Sequence, residues 1–240
     1  MATPTTTSTY KIKWDSKPVE IQDARGREQE FDMDKNGFEF HSAPVSLDFE
    51  DEEAVKGIYY REVEKLALKL TGADRAHVVN RIKRTTYAGD TSVDKATAPV
   101  PATMLHVDYS YDGAWELFDK EENRGGLMIP KWDTLKKTHR AALNLLSLRE
   151  IRITHRNGAS HEMWHLAYDP KQTFYHKSRT EPDDVLVAKL LDSKKDGRAR
   201  GTPHTGFQTE NNEGPPRDSI ETSYSIETRC LVFWENESLD

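Results

Sequence analysis

Thr103-Met104-Leu105-His106-Val107-Asp108-Tyr109 is the stretch on which the fold turns. Leu105 and Val107 alternate with His106 and Asp108, which is the period of a β-strand. Residues two apart on a strand point to the same side. His106 and Asp108 can therefore both face a barrel lumen while the aliphatic pair takes the other face. Alone, the spacing is weak. With 9 histidines in 240 residues, chance supplies roughly 0.75 His-x-Asp pairs, and the competing reading is a surface histidine with an aspartate in a turn. The neighbouring sequence has to decide.

Upstream, Asp90 to Pro101 is loop by composition, and residues 76–84 (AHVVNRIKR) are short and β-branched, a strand pattern. Earlier, Val55, Tyr59, Val63, Leu66 and Leu70 recur every three or four places within 52–71, and Gly72 suits the position just past a helix C-terminus. Downstream, Trp115, Leu117 and Phe118 begin a helix that ends near Gly125–Gly126. Strand patterns follow at 143–154 (LNLLSLREIRIT), 163–168 (MWHLAY), 185–191 (VLVAKLL) and 225–234 (SIETRCLVFW). Helices near the N-terminus followed by strands without intervening helices predict an α+β protein with a barrel or sandwich core. Residues 1–20, rich in Thr and Ser, are expected to be a tail or edge segment, and 21–240 a single domain, which the length accommodates.

Composition narrows the function. The formal net charge is −7, with both signs mixed throughout, and no basic stripe tracks a phosphate backbone, so nucleic acid is not an expected partner. Lys194, Lys195, Arg198 and Arg200 read as a solvated loop. No run of 18 apolar residues spans a membrane, and the start lacks a secretory h-region. Cys230 is the single cysteine, which excludes an intramolecular disulfide and a thiolate metal cage and fits a reducing, cytoplasmic compartment. His139, His155 and His176 sit in polar surroundings and are expected to be exposed. Trp115, Trp164 and Trp234 read as core or pocket wall, and Lys189, inside an apolar strand, as the partner of a carboxylate.

Two metal motifs compete. His106 and Asp108 with a distant His204 would give two imidazoles and one carboxylate on one triangular face, leaving three positions of iron(II) open. His161-Glu162-Met163-Trp164-His165 matches the zinc-peptidase pattern HExxH, at a chance level of roughly 0.03. That motif needs a helix, yet Asn157-Gly158 precedes it, Asp169-Pro170 follows it, and Trp164, Leu166 and Tyr168 alternate as a strand.

The segments GFEFHSAPVSLDFEDEEAV, YYREVEKLALKLTGADRAHV, HVDYSYDGA, DDVLVAKLLDS, GTPHTGF, PPRDSIET and RCLVFW, in that order from about Phe31 to Trp234, resemble a family of fungal and actinobacterial iron(II)/2-oxoglutarate oxygenases. It includes the gibberellin desaturase, fungal hydroxylase/desaturases and the cephamycin methoxylation protein. The resemblance implies a double-stranded β-helix (jelly-roll) core, iron(II) held by His106, Asp108 and His204, and 2-oxoglutarate as co-substrate. It further implies that dioxygen oxidises a small secondary-metabolite substrate by hydroxylation, desaturation or cyclisation. Arg217-Asp218-Ser219 resembles the element that binds the far carboxylate of 2-oxoglutarate, for which a planar guanidinium and a hydroxyl are suited. A homodimer is compatible with the resemblance.

The chain departs from the family pattern in three places. Ser219-Ile220-Glu221-Thr222 recurs as Ser225-Ile226-Glu227-Thr228, so either copy can take the family register and Arg229 rivals Arg217 as carboxylate anchor. Asn144 is followed by LLSLRE rather than a Trp-Arg-Pro segment, and the span from Asn144 to Trp164 is short. The missing segment keeps open a non-catalytic barrel that retains the metal ligands, beside the HExxH peptidase.

Overall fold

The computed structural model describes residues 16–49, 51–84, 104–119, 129–147, 163–206 and 225–239. Their centre is a five-stranded antiparallel sheet in the order β2-β8-β5-β9-β3, built from β2 (Phe38–Ser42), β3 (Arg75–Arg84), β5 (Thr138–Ser147), β8 (Asp184–Asp192) and β9 (Ser225–Ser238). Two short pairs complete the strands: β1 (Ile21–Asp23) runs parallel to β7 (Phe174–His176), and β4 (His106–Val107) antiparallel to β6 (Trp164–His165). The architecture is α+β, as expected.

The expected helix within 52–71 forms as α1 (Glu52–Ala54), one π turn (Val55–Tyr59) and α2 (Tyr60–Thr71). Asp51 starts it by accepting hydrogen bonds from the Glu53 and Ala54 amides at 3.1 and 3.0 Å, satisfying donors that a helix N-terminus leaves open. Gly72 ends it at φ +68°, its amide bonded to the Leu68 carbonyl at 2.9 Å. A side chain in that left-handed region is strained. Gly72→Ala is expected to cost about 1 kcal/mol, read as a fall in Tm, although an added Cβ would meet nothing within 4 Å.

The buried stripe of this helix, Val55, Tyr59, Val63 and Ala67, packs on Val78, Leu143, Leu145, Cys230 and Val232. The opposite face of the same sheet presents Val79, Ala142, Leu231 and Phe233 to Tyr109, Phe118 and Leu135, where α3 (Gly113–Asp119) and α4 (Trp132–Leu135) lie. Cys230 and Val232 thus face one core while Leu231 and Phe233 face the other, which is why RCLVFW is continuously apolar rather than alternating. Each buried Val, Leu or Phe contributes about 1.5–3 kcal/mol.

Several expectations change. The strand around His106 is confined to His106–Val107 and the one around Trp164 to Trp164–His165. Strand β5 begins at Thr138, five residues before the expected start. That shift corrects His139: it lies on the central strand at 1% exposure, stacked 3.8 Å from the Trp234 ring, with Nδ1 2.9 Å from Glu237 and Nε2 3.0 Å from Asp192. Lys189 pairs as expected, its Nζ donating to Asp34 at 2.6 Å and Asp192 at 2.9 Å. The basic loop is less solvated than its composition implies. Arg200 lies 3.5 Å over the Tyr111 ring, Arg198 pairs with Asp196, Lys194 donates to the Ser238 carbonyl, and of the four only Lys195 is exposed. Asp90–Pro101, Gly125–Gly126, His155 and residues 148–154 lie outside the described residues. Among the described residues no helix is long and apolar enough to cross a membrane.

Candidate metal centre

His106 opens β4, which is hemmed in on both edges. On one side its partner across the ladder is His165. On the other, the His106 amide bonds the His204 carbonyl at 3.1 Å and the His204 amide returns to the His106 carbonyl at 2.9 Å. Backbone pairing therefore brings together two histidines 98 positions apart in sequence. Gly201 permits the approach: a Cβ there would stand 3.1 Å from Val107 Cγ1 and 3.4 Å from the Leu190 carbonyl oxygen.

The ring centroids of His106 and His204 are 4.4 Å apart. Both Nε2 atoms converge on one oxygen of Asp108, at 3.4 and 3.6 Å, and ligand atoms of all three residues lie within 4.8 Å of one another. The other ring nitrogens are tied down, His106 Nδ1 to the Met104 carbonyl and His204 Nδ1 to the Thr202 carbonyl, each at 2.9 Å. A carbonyl only accepts, so both protons sit on Nδ1 and both Nε2 atoms carry lone pairs. His204 Nε2 is buried and lacks a hydrogen-bond partner among the described residues. Two lone pairs and a carboxylate oxygen facing one point, with no donor among them, is a place for a cation. The donor set of two imidazoles and one carboxylate suits iron(II), and the backbone carbonyls are placed as the outer supports that orient histidines at a metal site. Protonation shows the same pull: burial drives the His204 pKa down, yet the Asp108 carboxylate more than offsets this and raises it.

Behind Asp108 lies a buried polar chain. The other Asp108 oxygen accepts from Arg229 Nη2 at 3.0 Å, Arg229 reaches Glu227 at 3.4 Å, and Asn144 Nδ2 donates to Glu227 at 3.0 Å. All four side chains are at most 3% exposed. Burial alone would raise the Asp108 pKa, but the Arg229 guanidinium and then the two histidines hold it well below the usual carboxylate range. Two carboxyl groups face a single guanidinium, so a divalent cation at the histidines would complete the compensation that buried charge requires.

The expected residues fall into three groups. His106, Asp108 and His204 come together. Arg229 reaches the site too, but against the Asp108 carboxylate. Arg217, Ser219 and the first SIET copy lie outside the described residues, while the second copy opens β9 and places Glu227 and Arg229 toward Asp108. His161 and Glu162 are likewise outside, and Trp164–His165 is extended and paired with β4. A helical turn through 161–165, which HExxH zinc chemistry needs, is incompatible with that pairing. Trp164 is no core residue: it is 40% exposed and meets the Tyr111 ring edge-on at 4.3 Å. The roles of Asn144 and Glu227 in the polar chain carry no sequence signal, because only strand register sets Asn144 opposite Arg229.

Comparison with known proteins adds the lineage. A family model described as "Oxidoreductase/YMDC permease-like domain" matches residues 1–233. The hydroxylase/desaturase efuI of Hormonema carpetanum is 31% identical, over 97% of this chain and 88% of its own length. Hydroxylase/desaturase CTB9 of Cercospora beticola is 30% identical over 98% and 82%. The chain belongs to the fungal hydroxylase/desaturase family. Members of this family are oxidoreductases. The solved iron and alpha-ketoglutarate-dependent endoperoxidase NvfI superposes with a TM-score of 0.68 at 22% identity, covering 90% of this chain and 85% of that one. That likeness shows a shared fold.

Proposed function

We propose that this hydroxylase/desaturase family member is an iron(II)/2-oxoglutarate-dependent oxygenase of a small secondary metabolite, with His106, Asp108 and His204 as its metal ligands. The observation that carries this reading is the convergence of the His106 and His204 Nε2 atoms on Asp108, with His204 Nε2 buried and without a hydrogen-bond partner among the described residues. Three protein ligands on one face leave room for a bidentate co-substrate and dioxygen. When bound, the iron supplies the C–H oxidation chemistry. The chain's own part is to hold two neutral imidazoles by their Nδ1 protons and keep Asp108 ionised through Arg229.

The five-stranded sheet, faced by β4, β6 and His204, supports a double-stranded β-helix across residues 21–240 taken as one domain. Arg217 and Ser219 are assigned to the far carboxylate of 2-oxoglutarate. What supports that assignment over Arg229 is that Arg229 is already committed to Asp108 and Glu227. Hydroxylation is the assigned outcome: iron held by His106, Asp108 and His204 would supply the oxidation of a C–H bond positioned beside it. With candidate substrates under labelled dioxygen, the product is expected to gain one labelled oxygen and succinate to form. Loss of two hydrogens without label would replace hydroxylation by desaturation, and bound iron with no succinate from any substrate would overturn the oxygenase reading.

A further inference from the structure

The triad does not line the groove of about 410 Å³ that lies over α3, α4 and the start of β5. Its floor is Arg140. This residue stands opposite Phe233 on β5, four positions from Asn144, which is about 13 Å along the strand. Arg140 is 9% exposed, its guanidinium carbon lies 4.2 Å over the Trp115 ring, and its Nε and Nη1 are buried without a hydrogen-bond partner among the described residues. Burial pushes its pKa down to about 10. An arginine keeps its charge under these conditions and normally has its donors satisfied. The backbone around it gives no reason for the vacancy: Arg140 N donates to Ser193 Oγ at 3.0 Å and its carbonyl accepts from Ser193 N at 3.0 Å.

The neighbouring acids compensate Arg140 in part: Asp119 attracts its charge, but no described carboxylate hydrogen-bonds its Nε or Nη1. Asp119 already accepts from Trp132 Nε1 at 2.9 Å and Lys136 Nζ at 3.0 Å, and Asp112 is exposed to water. Lys136, Lys137 and Arg140 against Asp112 and Asp119 leave one positive charge among the lining groups. One excess charge suits a monoanion. Two indoles in the wall suit a planar apolar body, and the volume lies in the range of small-molecule sites.

We propose that this groove binds the carboxylate of a small aryl or polycyclic acid, the acid accepting from the Arg140 guanidinium and the body lying against Trp115 and Trp132. The site stands or falls independently of the metal reading. The test uses 1-naphthoate as probe, with 1-naphthalenemethanol as its neutral counterpart, titrated calorimetrically into the full chain. Naphthoate is expected to bind saturably to the parent and to His204→Ala alike, at least tenfold more weakly to Arg140→Met, and at least tenfold more tightly than the alcohol. Trp115→Leu, which removes the stacking platform and leaves the charge, is expected to weaken it at least fivefold. Arg140→Met is expected to melt at or above the parent's temperature, because it relieves an unsatisfied buried charge. The proposal is overturned if naphthoate fails to bind, if Arg140→Met binds it as the parent does, if the alcohol binds equally well, or if inorganic phosphate displaces it at matched ionic strength. Loss of binding in His204→Ala would place the probe at the metal and overturn it too.

Discussion

His204→Ala and His106→Ala are expected to abolish stoichiometric iron(II) binding while leaving the fold largely intact. Each removes one of the three proposed ligand atoms. Changing the outer supports of a metal site already costs about 10–100-fold in affinity, so losing a ligand should exceed about 100-fold. The fold should tolerate it because the β4 contact with His204 is made by backbone groups, at 3.1 and 2.9 Å, which an alanine retains. Anaerobic titration of iron(II), followed by the weak visible band that 2-oxoglutarate adds to the iron, checks the binding, and thermal melting checks the fold. If both variants hold iron as tightly as the parent, the triad is wrong.

Arg217→Ala and Arg229→Ala are expected to separate cleanly, one losing co-substrate and the other stability. Arg217→Ala should weaken 2-oxoglutarate binding by about 2–4 kcal/mol, the cost of truncating one partner of a buried hydrogen-bonded charge pair, with little change in Tm. Arg229→Ala leaves Asp108 and Glu227 facing each other, at 2% and 1% exposure, without their shared cation. Breaking a buried pair in this way costs about 3–5 kcal/mol. Binding of iron(II) should then recover part of that stability, because the metal supplies positive charge beside Asp108. If instead Arg229→Ala loses 2-oxoglutarate while remaining stable, and Arg217→Ala does not, the second SIET copy has taken over the anchor.

The duplicated SIET shows why such a question outlives the sequence. Two identical tetrapeptides offer two registers, and nothing local distinguishes them. The antiparallel ladder does: Asn144 pairs with Arg229 and Leu145 with Thr228, so the second copy enters β9 and turns Glu227 and Arg229 toward Asp108. A slip of one residue would have sent these side chains to the other face, where the helix stripe packs.

What the sequence determined by itself is mostly periodic. The stripe Val55, Tyr59, Val63 and the Gly72 stop predicted the helix, and the apolar runs predicted β8 and β9; the expected alternation through Asp108 is cut short, since the strand ends at Val107 and Asp108 sits in the bend that follows. The helix and the two apolar strands are consequences of local chain geometry, which neighbours in sequence are enough to express. Tertiary structure decided the rest. His139 is buried because β5 starts at Thr138 and lies between β8 and β9, a matter of strand order that no polar neighbourhood reveals. His204 joins His106 through a two-bond bridge across 98 positions. Arg140 Nε and Nη1 lack hydrogen-bond partners among the described residues because its strand, Trp115 and the Trp132–Asp119 pair meet around them. Burial, long-range pairing and unmet hydrogen bonds depend on which surfaces meet, and that is settled by packing rather than by any stretch of chain.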